Sequence, residues 1–387
     1  MRIVDIREKA LPISRYEGRT MSSSGLTTSI VALVTDVVRD GKPIIGYGFS
    51  SVGRYAQSGL IRDRFAPRLM SAEDLADDAG ATLDPFRAWK IMMKNEKQGG
   101  HGERCVAVGT LDMAIWDASA KIANLPLHLF IRLHLHSSSN RDSDAAHIHV
   151  YAAGGYLYPS DDISRLRDEI LRMQDQGYTR FKIKIGAMPL AQDLKRIDAV
   201  LRLLRNPNYL AVDAMNAYGA EESLQAASAL GPYGLWWFED VCDPLDFETL
   251  AAVAKHYEHP VAAGEALFSE AEAKLLDRYG GLRQDRDILV FDPVHCYGLT
   301  EYLRITKQLQ SSGWPQSAFW PHGGHLFCLH VVAALGLGGA EVNPLAFQPV
   351  CGLAGAAEVV NGKTVAPDAP GIGFELRPEL WRLFAGL

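Results

Sequence analysis

The chain begins with strand-like alternation at Arg2-Ile3-Val4-Asp5-Ile6 and a β-rich run, Ser29-Ile30-Val31-Ala32-Leu33-Val34-Thr35. Asp40-Gly41 then gives a hairpin-turn signal before Pro43-Ile44-Ile45-Gly46-Tyr47-Gly48. Helical periodicity follows, and residues 108–122 are dense in Ala, Met, Leu and Ile with polar breaks at Asp112 and Asp117. Strands first and helices afterwards predict a small α+β domain. Residues 136–144 are Ser-rich and charged, lack apolar anchors and are the predicted linker.

From residue 147 the pattern changes to short apolar strands alternating with helices, the signature of βα units and a parallel sheet. One helix starting near Asp161 is predicted to bury Ile163, Leu166, Ile170 and Met173 and to stop at Gly177. The next, from Pro189, places Leu190, Leu194, Ile197, Leu201 and Leu204 on one stripe. Each strand is a brief apolar run that ends in a charged or titratable residue: Lys184, Asp213, Glu239, Glu265, Asp292 and His322. The steps between them are 29, 26, 26, 27 and 30 residues, one βα unit each. A (β/α) barrel gathers the C-terminal ends of its strands at one mouth, so these six residues are predicted to converge there. A first strand near His149 to Ala153 and a last near Leu345 to Gln348 bring the strands to eight.

After the barrel, Val359-Val360-Asn361-Gly362-Lys363-Thr364-Val365 reads as a hairpin and Pro370-Gly371-Ile372-Gly373-Phe374 as a turn, so the C-terminus is expected to fold back onto the first domain. The expected organisation is a capping domain in residues 1–135, a catalytic domain in residues 146–350 and a returning segment in residues 351–387. A length of 387 residues suits two or three such units.

With 48% hydrophobic and 22% charged residues, disordered, collagen-like and disulfide-scaffold classes are excluded. The net charge of −7, without a basic stripe, predicts no nucleic-acid or membrane partner. Cys105, Cys242, Cys296, Cys328 and Cys351 are scattered and form no Cys-x-x-Cys pair, which suits reduced thiols and a cytoplasmic location. The N-terminus is charged from Arg2 onward and lacks a signal-peptide apolar stretch, and the longest apolar tract, residues 326–340, is too short to span a bilayer.

Asp213, Glu239 and Glu265, at the ends of three successive strands, are an all-oxygen set suited to a hard cation such as Mg2+. Without a cation they would repel one another and raise their own pKa values. Any one of them alone would be read as a helix cap or a salt-bridge partner; the repeated spacing favours convergence. Lys182 and Lys184 lie two apart on one strand and point the same way, into the barrel. Their mutual repulsion and a nearby metal are expected to depress their pKa values, which makes a lysine a usable base; a solvated edge strand is the alternative. Asp292 ends the strand before His322 and is placed to orient the imidazole and hold it charged as an acid.

Zinc on His322-x-x-His325 is discounted because the His-Glu-x-x-His arrangement is missing. Gly46-Tyr47-Gly48 lacks dinucleotide spacing, and the chain has neither a phosphate loop nor a Gly-x-Ser-x-Gly elbow.

The series Lys182-Ile183-Lys184, Asp213, Glu239, Glu265, Asp292 and His322 resembles the mandelate racemase branch of the enolase superfamily, whose members abstract the proton α to a carboxylate. The likeness covers nearly the whole chain, including Leu111-Asp112-Met113-Ala114-Ile115-Trp116-Asp117. Within the branch the chain looks most like the D-tartrate dehydratase group. The motifs that carry this are Asn95-Glu96-Lys97, Gly99-Gly100-His101-Gly102-Glu103-Arg104, Asp243-Pro244-Leu245-Asp246 and Pro321-His322-Gly323-Gly324-His325.

The resemblance implies an α/β fold, a (β/α)7β TIM-like barrel under a capping domain made of both chain ends, with Mg2+ as cofactor and a homo-oligomeric assembly. It also implies a dehydratase of a hydroxy-carboxylic or sugar acid. Asp213, Glu239 and Glu265 would hold Mg2+, Lys184 would remove the α-proton, and Lys182 would tune it and contact the carboxylate. His322, held by Asp292, would protonate the departing β-hydroxyl to leave a 2-keto acid. Glu341 would hydrogen-bond near the carboxylate and Lys97 would reach the distal end of the small carboxylic-acid substrate. The alternatives are a racemase or epimerase using the same residues and a catalytically silent metal-binding homologue. Two departures from the family pattern stand out: Met215 replaces the usual asparagine after the first metal-bearing strand. In the specificity loops, residues 15–25 and 49–55, Ser50 and Val52 stand where a tartrate enzyme is expected to carry asparagine.

Overall fold

The computed structural model describes residues 1–16, 25–135 and 147–387. The predicted linker at 136–144 and most of the loop at 15–25 lie outside the described residues.

β1 (Ile3–Ile13), β2 (Leu26–Arg39) and β3 (Lys42–Phe49) form an antiparallel sheet in that order. Asp40 and Gly41 both take left-handed backbone angles, φ 51° and 74°, as a tight two-residue hairpin requires. The short helices α1 (Ala66–Met70) and α2 (Pro85–Met92) lead to α3 (Glu103–Ile122), which packs on β3, and α4 (Leu127–Leu135) follows. Gly46 and Gly48 permit that packing: an added Cβ would lie 2.0 Å from the Ala114 carbonyl oxygen and 2.5 Å from that of Thr110. The Gly46-Tyr47-Gly48 signal is therefore a backbone-contact device.

The second half is a curled parallel sheet with helices between its strands. β4 (Ile148–Gly154), β5 (Phe181–Lys184), β6 (Leu210–Asp213), β7 (Phe238–Glu239), β8 (Val261–Ala263) and β9 (Ile288–Leu289) pair in sequence order, and β10 (Ala340–Val342) pairs with β4 from the other side. The intervening helices are α5 (Asp162–Asp175), α6 (Leu190–Leu201), α7 (Ala220–Leu230), α8 (Phe247–His256), α9 (Glu270–Tyr279), α10 (Leu299–Ser311) and α11 (Leu326–Leu335). Beyond β9, Phe319 makes a single parallel bridge to Leu289, and the Trp320 N–H donates to the Leu289 carbonyl at 2.9 Å. The Gly338 N–H donates to the Phe319 carbonyl at 3.1 Å, two residues before β10.

Three expectations need correction. The last strand is Ala340–Val342, not residues 345–348, where Phe347 turns into a left-handed conformation (φ 56°) and donates its N–H to the Ser14 carbonyl at 2.8 Å. Ile163, expected in the core, is 41% exposed. The hairpin near residue 360 delivers β11 (Lys363–Thr364) to β4 of the parallel sheet and not to the first domain. The residues after it do return there: the Asp117 carboxylate accepts the Ile372 N–H at 2.7 Å, and Tyr47 packs against Trp381 and Phe384 of α12 (Pro378–Phe384).

A histidine pair joins the halves. Buried His330, on α11, donates Nε2–H to the Ile372 carbonyl at 3.0 Å and accepts the His128 N–H on Nδ1 at 3.2 Å. The second bond requires the neutral ring. Burial first and then His128 lowers His330 to about 3, and burial first and then Arg132 lowers His128 to about 4. Above about pH 6.5 folded and unfolded rings are both neutral; below it the unfolded chain takes up protons that the fold refuses. The denaturation midpoint is therefore expected to fall between about pH 6.5 and 4, and to fall less steeply in His330→Asn, as urea titrations at a series of pH values would show.

Candidate active site

The register of the parallel sheet assembles the site. Lys184 pairs with Asp213, and Asp213 with Glu239, so the ends of β5, β6 and β7 lie on one rung. Glu265 follows β8 by two residues, and carboxylate oxygens of Asp213, Glu239 and Glu265 all lie within 4.8 Å of one another. Glu265 Oε2 is buried with no hydrogen-bond partner.

Lys182 and Lys184 share a face of β5, as residues two apart on a strand do, and both are buried. Lys184 Nζ contacts Asp213 Oδ2; Lys182 Nζ contacts Glu239 Oε1 and lies 2.9 Å from Glu341 Oε2. Glu341, on β10 opposite Tyr151 of β4, also accepts the Tyr151 hydroxyl at 2.9 Å and the Asn343 amide at 3.0 Å. Arg196 anchors the end of β5 by donating to the Lys184 carbonyl, with further bonds to the Gly155 carbonyl at 2.8 Å and to Asp162 at 2.7 Å.

His322 enters from the other end of the trio. Its Nδ1–H donates to Asp292 Oδ2 at 2.8 Å, and its Nε2 lies 3.5 Å from Glu265 Oε2. Asp292 Oδ1 accepts the Val294 and His295 backbone N–H groups at 2.7 and 3.2 Å. His295, His322 and His325 outweigh burial and hold Asp292 well below the usual carboxylate range. Burial would lower His322, but Glu265, Glu341 and Asp292 outweigh it and raise its pKa to about 10. At neutral pH His322 is an imidazolium with Nε2–H beside Glu265.

The lysines differ from expectation. Burial does work to lower Lys184, but Asp213 and further neighbours outweigh it; Glu239 and Glu341 do the same for Lys182, and both ammoniums are held above the ordinary lysine value. Spacing placed the lysines together but not the carboxylates across from them. Glu239 is raised by burial and by crowding from Asp213 and Glu265, against the pull of Lys182. Glu341 is held low because Lys182, His322 and Lys184 outweigh burial. Asp240, buried beside Glu239, is raised well above the usual carboxylate range by burial and by Glu265, Asp213 and Glu239.

Five carboxyl groups (Asp213, Glu239, Glu265, Glu341, Asp292) thus crowd around three cations (Lys182, Lys184, His322). The upward push on Glu239 by its acidic neighbours, the Glu265 oxygen without a hydrogen bond and the all-oxygen donor set fit one hard divalent cation, which would favour the ionised trio. A second cluster, Asp292, His295 and His322, also brings ligand atoms within 4.8 Å, but Asp292 and His322 already bond each other there.

Eight of the nine residues singled out in the sequence thus meet in one place. Lys97 is exposed and lines a separate cavity of about 480 Å3 with Trp89, His101, Arg104 and Tyr297. Asp240 and Tyr151 escaped sequence reading; the Glu239-Asp240 doublet at a strand end was a signal for the first. The Met215 departure leaves the trio intact, because the Met215 backbone N–H, not its side chain, donates to Asp213 Oδ1 at 2.7 Å.

Removing the Lys182 charge would leave Glu239 and Glu341 buried against each other. Lys182→Met is expected to cost about 3–5 kcal/mol of stability in urea denaturation with a chelator present, whereas Lys97→Met changes it by less than about 0.5 kcal/mol.

Residues 165–380 match the family model for Enolase C-terminal domain-like proteins. Over 379 residues the chain is 28% identical to an arabinonate dehydratase of Saccharolobus solfataricus, covering 94% of each. It is 26% identical to an L-talarate/galactarate dehydratase of Salmonella typhimurium, over 96% of this chain and 87% of that one. A solved member of the enolase superfamily from Polaromonas sp. JS666 superposes with a TM-score of 0.76 at 25% identity, over 96% of this chain and 94% of the other. A racemase from Streptomyces coelicolor A3(2) with bound magnesium gives a TM-score of 0.76 at 22% identity, over 98% and 99%, a likeness of fold alone. The two dehydratases are named for sugar acids, not for tartrate. With more than half of its length matched by that family model, the chain belongs to the Enolase C-terminal domain-like family of the enolase superfamily.

Proposed function

We propose that the protein is a Mg2+-dependent dehydratase of an acid sugar, converting a hydroxy-carboxylic acid to a 2-keto acid by loss of water. The observation that carries this reading is the position of a base and an acid at the two ends of one carboxylate trio: Lys184 touches Asp213, and His322 approaches Glu265. The names of the sugar-acid dehydratase relatives support the same chemistry. The frame proposed for it is a closed (β/α)7β barrel in residues 146–350, capped by residues 1–135 and 351–387; the hydrogen bonds linking Leu289, Trp320, Phe319 and Gly338 support closure.

Mg2+ bound by Asp213, Glu239 and Glu265 would draw in the substrate carboxylate and stabilise the negative charge that develops as the α-proton leaves. Lys184 is an ammonium against Asp213 here, so it must first give up a proton, which engagement of Asp213 by the cation would favour; the neutral Nζ then takes the α-proton. The neighbouring Lys182 ammonium lowers the proton affinity of Lys184 and, with Glu341 accepting one of its protons, donates toward the carboxylate end of the substrate. His322 Nε2–H gives its proton to the β-hydroxyl, the C–O bond breaks, and water departs. The remaining enol tautomerises to the 2-keto acid, and Asp292 keeps the imidazole ring in line throughout.

Within acid sugars, the tartrate-like assignment rests on the motifs around Lys97, His101, Asp243 and His322; Lys97 itself lines a separate cavity and is given no contact with the substrate. A screen of mono- and diacid sugars with Mg2+, scored for 2-keto acid, is expected to give a hit that Lys184→Ala loses by at least about a hundredfold. Inversion at the α-carbon without keto acid would overturn dehydration in favour of a racemase or epimerase. Wild-type turnover in Lys184→Ala would overturn the assignment of the base.

A further inference from the structure

Asp292 Oδ2 has a second donor besides His322. The Ser51 hydroxyl, from the segment that follows β3, donates to the same oxygen at 2.7 Å. Ser51 is completely buried, and its Oγ lies 3.2 Å from His325 Nε2. Burial holds His325 neutral, with a pKa of about 4. Because the serine proton goes to Asp292, the His325 Nε2–H donates to Ser51 Oγ, and the chain of bonds runs His325 to Ser51 to Asp292, which His322 meets from the other side.

The backbone at Ser51 is consistent with a role for the hydroxyl. Ser51 sits at φ 59°, a left-handed conformation that favours glycine over any residue with a side chain. The surroundings enforce it: the Ser50 N–H donates to the Ser29 carbonyl at 3.0 Å, and Thr28 Oγ1 donates to the Ser51 carbonyl at 3.3 Å. A serine standing where glycine would fit the backbone better is offset by what its side chain contributes, and among the described residues that side chain bonds to Asp292 and His325.

We infer that Ser51 is a positioning residue for the acid arm: by fixing Asp292 Oδ2 it sets the direction in which His322 Nε2 delivers its proton. It also makes the acid arm depend on the N-terminal sheet, since the carboxylate is held by the barrel through Val294 and His295 and by the β3 segment through Ser51. Among the described residues the Lys184 side chain has no hydrogen bond to the N-terminal sheet; Lys184 is set by β5 and Arg196. This inference rests on the roles proposed above for Lys184 and His322.

The two arms can be read separately in Ser51→Gly, which removes the hydroxyl and also relieves the backbone. With the Mg2+-loaded enzyme and its substrate, dehydration is expected to fall about 10- to 100-fold, with KM little changed. Exchange of the α-proton with solvent deuterium, which needs Lys184 but not the leaving hydroxyl, is expected to change by less than about threefold, and the melting temperature to stay level or rise. Dehydration at the wild-type rate would overturn the inference, and so would an equal loss of dehydration and exchange. Ser51→Ala carries the same prediction if the glycine variant does not accumulate. If the wild type neither dehydrates nor exchanges any acid sugar, the function itself fails. The positioning role is then read from the low-field Nδ1–H proton resonance of His322, identified by its loss in His322→Gln. It is expected to shift or broaden in Ser51→Gly, and an unchanged signal would overturn the inference.

Discussion

Everything at the mouth of the sheet follows from one electrostatic constraint: five carboxyl groups and three cationic side chains share one largely buried site. Desolvating any one of these ions alone would cost several kcal/mol, so each is tolerable only because its counter-charges are already in place. The sheet register supplies them. Asp213, Glu239 and Lys184 lie on one rung, and the two-residue period of β5 turns Lys182 to the same side, against Glu239 and Glu341. A slip of one residue in β5 would point both ammoniums outward and leave the acids uncompensated.

The crowding of carboxyl groups gives the site its chemical direction. It suits the trio to a divalent cation, raises His322 into its acidic, protonated form and leaves Lys184 as the group whose proton affinity depends on what Asp213 is doing. The N-terminal sheet is coupled to this centre through Ser51, and that sheet is positioned by the close packing of Gly46 and Gly48 on α3 and by the C-terminal residues that Asp117 and His330 hold. Both ends of the chain thus bear on the geometry of a site formed in its middle.

What was legible in the sequence was whatever repeats with the architecture. The succession of strand-end residues from Lys184 to His322 marked the mouth because one βα unit returns the chain to the same end each time, and the Lys-x-Lys spacing fixed a common face. The last strand was misplaced because Leu345-Ala346-Phe347 is as apolar as a strand, while Ala340–Val342 is short and carries a buried acid, Glu341. The direction of the lysine pKa shifts could not be read either, since it depends on contacts to β6, β7 and β10 that spacing along β5 does not encode. Ser51 was hidden for the same reason: its partners are 241 and 274 residues away. Lys97 shares a local motif with the resembled group, yet lines a different cavity from the carboxylates.

The central claim is that Asp213, Glu239 and Glu265 form a cation site whose negative charge sets the chemistry around it. Calorimetric titration of the full-length protein with Mg2+ tests it most directly. A single Mg2+ is expected to bind to the wild type and to bind at least about tenfold more weakly to Glu239→Gln, a variant that preserves the shape of the site but removes one charge. Equal Mg2+ affinity in the wild type and Glu239→Gln, with both folded, would contradict the account.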